Sequence, residues 1–86
     1  MTSWTLGGVV LDAHGDPVAG AAVALAGGPG PYPDVAALTG ADGRFSFAVS
    51  TAGVYTVQCR APDGRTARGP AEAGAGAGAP VVLRLG

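Results

Sequence analysis

One histidine, one cysteine, five aspartates and five arginines are the residues of this 86-residue chain best equipped for chemistry. Asp12, Asp16, Asp34, Asp42 and Asp63 are hard oxygen donors of the kind that suits Ca²⁺. None falls into the D-x-D-x-D-G spacing that wraps a loop around that ion, and each stands where a turn has its own use for a short acceptor. They are expected to shape turns, and neither a metal site nor any other cofactor is expected. His14 lies in the first such turn, with no second histidine and no serine or cysteine nucleophile in a recognisable setting. A catalytic base needs a partner within reach, so no catalytic residue is assigned. Cys59 falls on the apolar side of its strand and is expected to serve as a small buried hydrophobe. What remains is Arg60, Arg65 and Arg68, a basic strip on adjacent strands suited to an anionic partner. Tyr32 joins them as an aromatic in a stiff Pro/Gly loop, the type of anchor that interfaces use. These four are the candidate interaction residues.

The elements that must position them are short strands. Gly and Pro together supply 23 residues (16 and 7) and cluster between runs of β-formers. Strands are expected near 4–11, 21–26, 35–39, 44–50, 53–60, 64–68 and 80–85. No window of eleven or more residues carries a 3.6-residue apolar period, so little or no helix is expected. About seven strands with a turn every eight to twelve residues predict an all-β, Greek-key sandwich. Alternation assigns the core. Phe45, Phe47 and Val49 share one face, as do Tyr55, Val57 and Cys59. Val81, Leu83 and Leu85 form a third set, Val23 and Leu25 a fourth, and Leu6 and Val10 join from the first strand. Two flexible loops are expected, about 27–34 and 70–79, the second a low-complexity run of Ala and Gly.

Composition narrows the function classes. The chain is one domain, 1–86, near the small end of what folds unaided. Eighteen of its residues are alanine, so the larger apolar side chains are expected to carry the core. A net charge of −1 gives no nucleic-acid footprint. One cysteine allows no internal disulfide. The segment Met1–Gly8 has neither a basic flank nor a long apolar run, so no secretory leader and no membrane insertion are expected. A full-length chain of this kind would be cytoplasmic, with export by a signal-independent route left open.

Two segments carry a family pattern. Gly8, Val10, Asp12, Gly15, Pro17, Val18, Gly20 and Ala21 spell G-x-V-x-D-x-x-G-x-P-V-x-G-A. Thr39, Asp42, Gly43, Phe45 and Phe47 spell T-x-x-D-G-x-F-x-F, and Gly53, Tyr55 and Val57 follow as G-x-Y-x-V. Over residues 6 to 60 this resembles the carboxypeptidase regulatory-like domain, a seven-stranded sandwich of the transthyretin-like (prealbumin-like) type. The positions also have local reasons: Asp12 and Gly15 make a turn, Pro17 presets φ, Gly20 permits a close approach, and Asp42-Gly43 signals a hairpin.

The resemblance implies an accessory module without catalysis. A transthyretin-like relative, 5-hydroxyisourate hydrolase, uses several His and Arg residues and a Tyr-Arg-Gly-Ser carboxyl end. This chain has one His and ends Val82-Leu83-Arg84-Leu85-Gly86, so hydrolase activity is disfavoured. The favoured function is a structural or interaction module that presents edge strands and loops to a protein partner, or to itself, as an accessory part of a larger secretion or surface assembly. The alternative is a carbohydrate- or small-ligand-binding sandwich, weakened by only five aromatic residues.

Overall fold

A computed structural model of the chain describes residues 4–29, 36–74 and 81–85. Seven strands appear: β1 (Trp4–Leu11), β2 (Ala22–Gly27), β3 (Ala37–Leu38), β4 (Arg44–Val49), β5 (Gly53–Arg60), β6 (Thr66–Ala73) and β7 (Val81–Arg84). They form a three-stranded sheet, β4-β1-β7, and a four-stranded sheet, β3-β2-β5-β6. The expected all-β sandwich is what the chain builds. No helix long and apolar enough to cross a membrane occurs among the described residues.

The two sheets close on one core, and period-two alternation supplies it. Leu6, Val10, Val23, Leu25, Phe45, Phe47, Val49, Tyr55, Val57, Cys59, Leu83 and Leu85 are all buried, as expected, while Val81 is half-buried against them. The rings of Phe45 and Phe47 lie 6.1 Å apart and tilted by 59°. Four alanines, Ala21, Ala61, Ala71 and Ala73, are buried in the same cluster. That corrects the expectation that larger side chains alone carry the core. Small residues here make room for neighbouring side chains: Gly69 of one sheet faces Leu83 of the other, and within the three-stranded sheet Gly8 lies under the Phe45 ring and beside Val81.

Three features depart from the pattern read along the chain. First, Asp42-Gly43 closes no hairpin. β3 pairs with β2 and β4 pairs with β1, so this turn carries the chain from one sheet to the other. Second, the true hairpin joins β5 and β6 through Ala61–Arg65, where the Gly64 N–H donates to the Ala61 carbonyl and the Ala61 N–H to the Arg65 carbonyl. Third, β6 begins at Thr66 and runs to Ala73, beyond the 64–68 expected, and pairs with β5 over its whole length. Pro70 is accommodated because β6 is the last strand of its sheet, where a missing N–H on the outer side breaks no ladder bond.

Thr39 is the one buried polar side chain among the described residues. Its hydroxyl accepts the Ala21 N–H at 2.9 Å and donates to the Val18 carbonyl at 2.6 Å. The family-pattern threonine is thus a clamp between the entry to β2 and the turn that follows β3.

Candidate functional site

The carboxylates belong to turns. Asp12 Oδ1 accepts the N–H groups of His14 (2.8 Å) and Asp16 (3.0 Å), and Gly15 completes the turn at φ 84°. Asp42 Oδ1 accepts the Arg44 N–H at 3.0 Å, and Asp63 Oδ1 accepts the Arg65 N–H at 3.0 Å. Among the described residues no group of three or more His, Cys, Asp or Glu side chains comes together to hold a metal. Asp34 lies outside the described residues. His14 is exposed, and its backbone is occupied as a donor in the Asp12 turn.

These turns set the electrostatics. The Asp16 N–H, helped by that of His14, holds the Asp12 carboxyl below its ordinary value of 3.8. The Arg65 N–H and then its guanidinium do the same for Asp63. A lowered folded-state pKa stabilises the fold above the unfolded value, and that stabilisation is lost as pH falls through the folded value. Thermal melts should therefore drop as pH is lowered from about 5 to 2. The double variant Asp12→Asn/Asp63→Asn should show a shallower drop in calorimetry, because its caps no longer titrate. Equal slopes would show that these turns are not what acid weakens. Burial pushes the Cys59 thiol up, which keeps it protonated and unreactive at neutral pH.

The arginines divide. Arg65 sits in the β5–β6 turn, not on a strand, and its Nε bonds Asp63 Oδ2 at 2.7 Å, so it leaves the strip. Arg60 and Arg68 are exposed on the outer face of the four-stranded sheet. Arg60 lies opposite Thr66, and Arg68 lies opposite Gln58, whose Oε1 accepts from its Nη2 at 3.4 Å. That places the two arginines on diagonal positions, roughly 7–8 Å apart at the backbone. Neither makes an ion pair among the described residues. A shallow hollow lined by Gln58, Thr66, Ala67 and Arg68 adjoins them.

Around this pair the face is low and partly apolar. Ala22 and Ala24 fill the β2 positions, Leu38 on β3 is 71% exposed and Val54 on β5 is 58% exposed. The sequence showed the arginines but not this apolar neighbourhood, since pairing β2 with β3 and β5 was needed to place it. Tyr32 lies outside the described residues. Of the other aromatics, Phe45, Phe47 and Tyr55 are buried and Trp4 is partly buried, so they form no exposed stacking platform for a sugar.

The sequence profile of the carboxypeptidase regulatory-like domain matches residues 5–86. No curated protein gave a match.

Proposed function

The chain belongs to the carboxypeptidase regulatory-like domain family, and from that premise we propose that it acts as a non-catalytic interaction module. It docks a protein partner on the outer face of its four-stranded sheet, as an accessory part of a larger secretion or surface assembly. The supporting observation is the Arg60–Arg68 pair. Two like-charged side chains stand on diagonal positions of an exposed sheet face, and among the described residues neither forms an ion pair with a carboxylate. An acidic side chain from a partner would pair with them, and the apolar positions Leu38, Ala22 and Ala24 would be covered at the same time. The third arginine of the strip, Arg65, is already held by Asp63 and contributes less.

Affinity purification from the native host, with wild type and Arg60→Glu/Arg68→Glu compared quantitatively, tests this. A protein retained by wild type and lost at least tenfold in the variant, with unchanged circular dichroism, is the expected result. Retention of the same proteins by both, or enrichment of none, would overturn the assignment of this face.

A further inference from the structure

We infer that the outer edge of β4 pairs two copies of this chain, antiparallel about a two-fold axis at Phe47. The direction of the backbone groups carries the inference. Gly43 turns its carbonyl toward β1, where it accepts the Val10 N–H at 2.8 Å. Alternation then points the backbone groups of Arg44 away from β1. They are taken up locally, the N–H by Asp42 Oδ1 at 3.0 Å and the carbonyl by the Gly40 N–H at 3.3 Å. Ser46 and Ala48 face the same outer side. Both are exposed, and among the described residues no strand pairs with them there.

Donor–acceptor pairs on residues 46 and 48 are self-complementary. With Phe47 on the axis, Ser46 of each copy lies opposite Ala48 of the other, and the two pairs exchange four N–H···O bonds. The result is a continuous six-stranded sheet. Nothing in β4 opposes it. Edge strands are usually guarded by a charge, a proline or a bulge; β4 has none beyond Arg44, which falls opposite Ser50 of the second copy, clear of the other Arg44. The outward side chains Ser46 and Ala48 are short, and Gly7 beside Ser46 is shorter still. Beside this edge an open groove of about 410 Å³ is lined by Ala37, Leu38, Arg44, Phe45 and Ser46, and its exposed Leu38 would be covered by the second copy. By contrast β6, the long edge of the other sheet, carries Arg68, Pro70 and Glu72.

The pairing is one form of the interaction role proposed above; it shares Leu38 with that face but leaves Arg60 and Arg68 uncovered. The small contact predicts weak association, with a dissociation constant on the order of 100 µM. Sedimentation equilibrium of the wild-type protein from 10 µM to 1 mM should show monomer–dimer exchange. Ala48→Pro removes an outward N–H and no ladder bond within the fold, so it should stay folded by circular dichroism and sediment as a monomer. Should the proline unfold the chain, Ser46→Cys and Ala48→Cys proteins decide the register, because their mixture should form a disulfide-linked dimer at least fivefold faster than either alone. A wild-type monomer at 1 mM, a folded Ala48→Pro dimer, or no preference for the mixture would overturn the pairing. Partner loss in Arg60→Glu/Arg68→Glu with the dimer intact would leave the two surfaces independent.

Discussion

Tyr55→Ala is expected to lower stability by about 3–5 kcal/mol, close to the whole of what a domain this small has in reserve, which is about 5 kcal/mol. Tyr55 is the largest fully buried side chain among the described residues, at 0% exposure. It stands in β5, an interior strand of the four-stranded sheet, and its ring lies directly over Gly28, where any side chain would clash with Cδ1 and Cε1. The glycine after β2 is thus the floor of the tyrosine pocket. Removing so large a buried ring leaves a cavity whose cost adds to the lost transfer energy. The hydroxyl donates to the Thr51 carbonyl at 2.6 Å and ties the β4–β5 turn to the core. Tyr55→Phe keeps the ring and removes only that bond, at a cost of about 1 kcal/mol. Urea unfolding of the three proteins should rank them wild type, Tyr55→Phe, Tyr55→Ala. An alanine variant with the wild-type midpoint would show that the ring is not the keystone of this layer.

Tyr55 also marks what the sequence makes legible. Alternation alone identifies its inward direction with that of Val57 and Cys59, because a strand has only two faces and one of them must leave water. Alternation says nothing of which strands meet. Asp42-Gly43 and Asp63-Gly64 are the same dipeptide, and both make tight turns with the glycine at positive φ (74° and 92°). The first moves the chain between sheets and the second closes a hairpin. A dipeptide fixes local backbone direction; the partner is chosen by the apolar faces that the following strand must bury. The far half of β6 was hidden for another reason. Gly69-Pro70-Ala71-Glu72-Ala73 has the composition of a linker, but Ala71 and Ala73 are buried and Gly69 makes room for Leu83. Small residues are read as slack when isolated and as close packing once a second sheet lies against them. The candidate interaction residues show the same limit. Arg60 and Arg68 meet because β5 and β6 pair in one register, and Arg65 drops out because the hairpin turn claims it for Asp63.

Gly7 and Gly8 offer the sharpest trial of the packing, since adjacent and chemically identical residues should respond in opposite directions. Both lie in β1, the middle strand of the three-stranded sheet. Gly8 faces inward. A Cβ there would stand 2.5 Å from the Phe45 ring, the Val81 side chain and the Val81 carbonyl oxygen alike. The ring and the side chain can rotate, but the carbonyl belongs to the β1–β7 pairing, in which Gly8 is the partner of Val81. Gly8→Val must push β7 away, and overpacking of this kind costs about 3 kcal/mol or more. Gly7 faces outward, where a Cβ would meet only the Phe45 carbonyl oxygen at 3.9 Å. Gly7→Val gives up no packing, narrows the unfolded chain's freedom and raises strand propensity, so stability should rise by up to about 1 kcal/mol. Thermal melts and urea titrations of the two variants should bracket the parent. If Gly8→Val matches the parent, β7 does not press on β1 as closely as the 2.5 Å approach requires. If Gly7→Val falls as far as Gly8→Val, the outer face of β1 is filled, and the open surface flanking the β4 edge would be absent as well.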